Sequence, residues 1–205
     1  MSSKNADKTL VLVDFDHTIT RHDSFLKFSL HAAGMMRMAR AAVVSFPWLA
    51  GWKLGLVDSG RAKEKLFGAL FAGADAHSFR QKCIEFADII EQDLNQDVMR
   101  RLDSLESEGA RIAVVSASIA DWIRPWAERH GFCDVIATEI TLRDTADGSR
   151  ITIGGSFATP DCKADEKVRR VRDSFPDLDS YRLCVFGNLP DDKLLLDMAD
   201  TAVIV

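Results

Sequence analysis

Residues Leu10 to Val13 read L-V-L-V, and D-F-D-H-T follows at once. A short unbroken apolar run suits a strand buried on both faces, as in a parallel sheet. Along a strand, positions i and i+2 share a side. Asp14 and Asp16 are therefore delivered together to the end of a buried element, with Thr18 two residues further on. Like charges repel there and burial opposes ionisation. A chain that keeps this pair needs something that relieves it.

Three further segments resemble the first strand: Arg111–Ser116 (R-I-A-V-V-S), Tyr181–Asn188 (Y-R-L-C-V-F-G-N) and Thr201–Val205 (T-A-V-I-V). Helical patterns separate them at Ala120–His130, which ends before Gly131, at Ala164–Phe175, which stops before Pro176, and at Leu194–Ala199. Strands alternating with helices predict a doubly wound parallel α/β sheet. Functional residues are then expected at the C-terminal ends of the strands, where Asp14, Ser116 and Asn188 stand. Between Thr20 and Asn95 there is no convincing strand. Helices are predicted at Ser24–Ala33, Met35–Trp52, Gly60–Phe71 and Ala76–Leu94. The expected organisation is a core of residues 1–19 and 96–205 with an inserted, all-helical cap of residues 20–95. Glu139–Phe157 alternates like a small hairpin around Asp147–Gly148.

The net charge of −5 leaves no basic footprint for nucleic acid, so no nucleic-acid partner is expected. Cys83, Cys133, Cys162 and Cys184 are scattered, which favours reduced thiols in a cytoplasmic protein over a disulfide framework or a zinc site. The N-terminus M-S-S-K-N-A-D-K has no apolar stretch of the secretory kind.

Two neighbouring carboxylates can hold a hard divalent cation, whose charge relieves their repulsion. One can then serve as nucleophile and the other as general acid and base. Phosphoryl transfer also needs donors for the phosphoryl oxygens, a balancing cation and oxygen ligands for the metal. Ser116 and Ser118 follow the second strand, Lys163 and Lys167 lie at the opening of a helix, and Asn188, Asp191 and Asp192 follow the third strand.

With these residues in order, the chain resembles the haloacid dehalogenase superfamily of aspartate-nucleophile phosphatases. D-F-D-H-T matches its first motif, V-V-S-A-S its second, E-K-V-R-R its third-motif lysine and G-N-L-P-D-D its fourth. A helical insertion directly after the first motif resembles the phosphoserine-phosphatase-like branch. The resemblance implies that Asp14 attacks phosphorus, that Asp16 protonates the leaving oxygen and then activates water, and that Ser116 holds a phosphoryl oxygen. It implies Mg2+ bound by Asp14, the Asp16 carbonyl and the fourth-motif side chains Asn188 and Asp192. The motif lysine is Lys163 or Lys167, with the E-K-V context favouring Lys167 and leaving Lys163 as a solvated helix residue. Asp16 also favours ester hydrolysis over dehalogenation, because a halide leaves without a proton. Asn188 stands where the family usually has an aspartate; it supplies oxygen without charge, and Asp191 or Asp192 is expected to compensate. A degenerate member that binds ligands with little turnover is the alternative.

Thr18, Asp23 and Ser118 are the candidate substrate contacts. Thr18 can equally fix the turn, and Asp23 can equally cap a helix in H-D-S-F. The expected substrate is a small-molecule or lipid-head-group phosphate, handled by a monomer or homodimer. The segment Ala41–Val57 is apolar but interrupted by Pro47, Gly51 and Gly55, and falls short of the roughly 20 apolar residues of a span. Its Trp48 and Trp52 suit a membrane interface, and Arg37, Arg40, Lys53, Arg61, Lys63 and Lys65 surround it against only Asp58 and Glu64. The layout is similar to that of the phosphatidylglycerophosphatase C group. A peripheral membrane contact and burial within the cap or a dimer interface are both expected readings of this stretch.

Overall fold

The structure is a computed structural model that describes residues 8–205. The polar N-terminal segment, and the expectation that it carries no secretory signal, lie outside the described residues. The chain opens with β1 (Thr9–Val13) and a tight turn at Phe15–Ile19. Helices α1 (Ser24–Val44), α2 (Phe46–Lys53), α3 (Ser59–Phe71), α4 (Ala76–Glu91) and α5 (Gln96–Ser107) follow. Then come β2 (Arg111–Ile119), α6 (Ala120–Arg129), β3 (Asp134–Thr138), the strands β4 (Ile140–Asp144) and β5 (Ile151–Phe157), and α7 (Asp165–Ser174). β6 (Arg182–Gly187), α8 (Lys193–Leu196) and β7 (Thr201–Ile204) complete it.

Five strands form one parallel sheet in the order β3-β2-β1-β6-β7. The unbroken apolar run of β1 reflects burial on both faces. Leu10 and Leu12 pack on the side of Val171, Phe175 and Leu195, whereas Val11 and Val13 face Phe15, Leu102 and Trp126. The strand order reverses between β1 and β6, the switch point where open α/β sheets form their crevice. Thus β1 places Asp14 at the centre of that edge.

The segment after β1 is helical, as the sequence predicts. Its exit and return run side by side: Arg21 donates its N–H to the Asp93 carbonyl and Asn95 to that of Ile19. One boundary differs from the expectation of a helix over Met35–Trp52. α1 continues past a bend at Gly34, where φ is +77°, and a new helix begins at Phe46 because Pro47 suits a first turn and not an interior. The sequence reading also does not anticipate α5 and β3. α5 fully buries only Val98, Met99 and Leu102 in a helix that is otherwise polar but for Leu105, and β3 is five residues long.

The helical segment joins the core directly. Phe28 of α1 stacks on Trp122 of α6 with ring centroids 4.4 Å apart, and meets Phe79 and Phe86 of α4 edge-on. β4 and β5 form the expected hairpin, with Gly148 at φ +66° in its turn. They stand apart from the main sheet and back onto α3, where a Cβ on Gly68 would come 2.5 Å from the Gly155 carbonyl oxygen.

Candidate active site

A cavity of about 390 Å³ opens where the strand ends meet the helical segment. Asp14 begins its floor. Its backbone N–H donates to the Phe186 carbonyl at 2.9 Å, which fixes the aspartate to β6. The turn that follows holds His17 in the left-handed region at φ +60° and brings Thr18 back onto Asp14. The Thr18 hydroxyl donates to Asp14 Oδ2 at 3.1 Å. Thr18 is fully buried and lies outside the cavity wall, which corrects its expected role as a substrate contact. It orients the nucleophile candidate instead.

Lys167, in the first turn of α7, donates to Asp14 Oδ1 at 2.5 Å and to Asp192 Oδ1 at 2.6 Å. Burial opposes its charge, but the two carboxylates outweigh that and hold its pKa above the ordinary lysine value. Asp192 is 1% exposed, and its other oxygen accepts from the Asn188 backbone N–H at 2.9 Å. Both its oxygens therefore have protein partners. Its geometry is that of a group that positions Lys167.

Asp16 is set differently from Asp14. Burial, followed by the neighbouring charge of Asp23, raises its pKa to about 7, while the Ser24 N–H donates to its Oδ1 at 2.8 Å. Burial also pushes the Asp14 carboxyl upward, and the Lys167 ammonium pulls it back. Asp23 caps α1 by accepting from the Leu26 N–H at 2.7 Å, and it also lines the cavity. Ser116 lies on the floor and accepts from the Ser118 N–H at 3.0 Å, which leaves its own proton available to a ligand. Ser118 reaches the wall, but its hydroxyl pairs with that of Ser24 at 2.8 Å and accepts from Trp122 Nε1 at 3.2 Å. Its side chain serves packing more than ligand contact.

Asn188 donates from Nδ2 to the Asp16 carbonyl at 3.1 Å. Among the described residues, no group of three or more His, Cys, Asp or Glu side chains is arranged to hold a metal. The oxygens at hand are the Asp14 carboxylate, the Asp16 carbonyl and, once its amide turns, the Asn188 side-chain carbonyl; exposed Asp191 lies on the same wall. That is an all-oxygen set of the kind Mg2+ takes, completed by water. The donor chemistry fits the ion, with little negative charge.

Apart from Lys163, one of the two candidate motif lysines, the roof comes from residues that the sequence reading does not place at the site. Lys63 of α3 donates to the Ala117 carbonyl at 2.8 Å and pairs with Asp161, and Lys163 donates to Ser59. Lys163 therefore lines the cavity ahead of α7, which corrects its reading as a solvated helix residue. Phe25, Leu49 and Trp52 give the roof an apolar side. These contacts join positions 54 to 104 residues apart, and no local pattern marks them.

The family profile of haloacid dehalogenase-like hydrolases matches residues 11–197. The chain is 29% identical over 201 residues to Protein CicA of Caulobacter vibrioides strain NA1000 / CB15N, covering 93% of this chain and 83% of that protein. A solved structure of a protein with unknown function from Bordetella pertussis Tohama I superimposes with a TM-score of 0.77 at 22% identity, over 98% of this chain and 90% of that one. A phosphoserine phosphatase, solved as an analogue of its phospho-aspartyl intermediate, superimposes with a TM-score of 0.64 at 13% identity, over 96% and 86%.

Proposed function

The chain belongs to the haloacid dehalogenase-like hydrolases, and from that premise we propose that it is a phosphatase acting on phosphomonoesters through Asp14, with Mg2+ as cofactor. One observation carries the reading. Two carboxyl groups two residues apart face one cavity with different partners: Asp14 is paired to the buried Lys167 ammonium and takes the Thr18 hydroxyl, whereas Asp16 takes a backbone N–H from Ser24 and has Asp23 near it, which with burial raises its pKa to about 7. Asp14 attacks phosphorus as its ester P–O bond breaks, and the protonated Asp16 gives its proton to the departing oxygen. An aspartyl-phosphate remains on Asp14. Asp16, now ionised, takes a proton from the attacking water; the acyl-phosphate P–O bond breaks, and inorganic phosphate and the Asp14 carboxylate are released. Ser116 donates to a phosphoryl oxygen, and Lys167 balances charge between Asp14 and the phosphoryl group. When bound, Mg2+ offsets the negative charge gathered at phosphorus; Asp14, the Asp16 carbonyl and Asn188 would hold it.

The substrate is the phosphate ester of a small molecule or a lipid head group, taken into the cavity beneath the residue 20–95 cap. All four cysteines are free, which suits a reducing compartment, and we place the protein in the cytoplasm. A panel of phosphate esters with Mg2+, including an aryl phosphate, tests the activity. Wild type is expected to turn over and Asp14→Asn to lose all turnover while melting normally. Full activity of Asp14→Asn would remove Asp14 as nucleophile. A second reading, ligand binding with little turnover, is favoured by the neutral Asn188; it predicts a silent panel for wild type.

A further inference from the structure

Beyond Gly34, α1 leaves the packed body. From Met35 to Val44 only Ala41 is buried, and Met36 and Val43 are 88% and 75% exposed. Met36, Arg40 and Val43 stand at i, i+4 and i+7 and so share one helical stripe. Phe46, Leu54 and Leu56 continue the apolar exposure around and after α2. Large apolar side chains left exposed in such number over two neighbouring helices mark a contact.

Its charge indicates the partner. Arg37, Arg40, Lys53, Arg61 and Lys65 are exposed around this face, and none is ion-paired among the described residues. They form a basic border on a chain whose net charge is −5. Two copies meeting face to face would bring these like charges together. An anionic surface would neutralise them. No helix of the described residues is long and apolar enough to cross a membrane. The eight-residue α2 spans about 12 Å, well short of a bilayer core, so the face can lie on a membrane surface but not cross. Trp52 connects this surface to the site: it is 43% exposed, and it also lines the cavity.

We propose that the exposed face of α1 after Gly34, with α2, docks on an anionic lipid bilayer and admits a lipid phosphomonoester from it. The phosphate would reach Asp14 while the apolar part runs along Phe25, Leu49 and Trp52. The substrate half rests on the phosphatase reading above; the docking half does not.

Vesicle flotation of the full chain at low salt separates them. Wild type and Asp14→Asn are both expected to float with vesicles of phosphatidylcholine and phosphatidylglycerol and to stay behind with phosphatidylcholine alone. Met36→Glu/Val43→Glu, with an unchanged melting temperature, is expected to lose flotation. Arg37→Gln/Arg40→Gln should weaken it about fivefold per side chain. Phosphate release from phosphatidic acid carried in the same vesicles should fall with flotation in the Met36/Val43 variant. The docking surface is overturned if wild type stays in the soluble fraction, or if Met36→Glu/Val43→Glu floats equally well. It is overturned too if ultracentrifugation finds a wild-type dimer that this variant dissolves. Flotation without turnover of any phosphate ester, soluble or lipid, would instead sink the phosphatase reading and leave the surface standing.

Discussion

Asp14 and Asp16 leave the same strand end, yet their surroundings divide the work between them. Burial raises the pKa of both carboxyls, but Asp14 has Lys167 and Thr18 to offset it in part, whereas Asp16 has the neighbouring charge of Asp23 added to it. In the metal-free protein, a carboxyl-carbon NMR titration is expected to place Asp16 near 7, and Asp23→Asn to lower it. The protonated form donates to the leaving oxygen, so the competent fraction falls as pH rises through about 7. Asp16→Asn should cut turnover by about 10²–10⁴-fold, the usual weight of a general acid and base. Asn188 and Asp192 differ just as sharply. Asn188→Asp removes the donor to the Asp16 carbonyl and adds a charge among the metal oxygens, so calorimetric titration should find tighter Mg2+ binding. Asp192→Ala leaves the buried Lys167 paired to Asp14 but one hydrogen bond short, and urea unfolding should record a loss of about 1.5–3 kcal/mol. If Asn188→Asp leaves Mg2+ binding unchanged, the ligand role passes to Asp191.

Among the elements, the β4–β5 hairpin and α3 form a close joint. Gly68 and Gly155 meet with no room for a side chain, and Phe67 and Phe157 pack beside them at 5.8 Å. Gly68→Ala should therefore force the hairpin off the helix, at a cost of about 1–3 kcal/mol read as a lower melting temperature. A melting temperature at or above that of wild type would mean the joint yields freely. The hairpin itself is legible from alternation and its Asp147–Gly148 turn, but its destination is not. Alternation says which side chains share a face, and says nothing of what that face will meet. The bend of α1 is half legible in the same way. Gly34 marks a weak point, while the departure of the following turns from the body follows from how Phe25 and Phe28 anchor the turns before it.

At the scale of the whole molecule, the sheet and the helical segment share one apolar core. It runs from Val11 and Val13 through Trp122 and Phe28 to Phe71 and Phe86. Unfolding in urea should accordingly be a single transition, with tryptophan fluorescence and far-ultraviolet circular dichroism coinciding; two separated transitions would show the helices to be an independent unit. The sequence by itself determined the parallel sheet, the helical nature of the insertion and the positions of Asp14, Asp16 and Asn188 just past strand ends. Those features depend on periods of two and 3.6 residues and on local runs of burial, which a chain carries along its length. Tertiary structure alone decided that Lys167 meets Asp14 while Lys163 turns to Ser59. It alone committed both oxygens of Asp192 to protein partners, roofed the cavity with Lys63 and Trp52, and left Met36 and Val43 facing outward. Each of those outcomes depends on the direction in which a side chain points and on a partner from a distant part of the chain, and neither is written in local spacing.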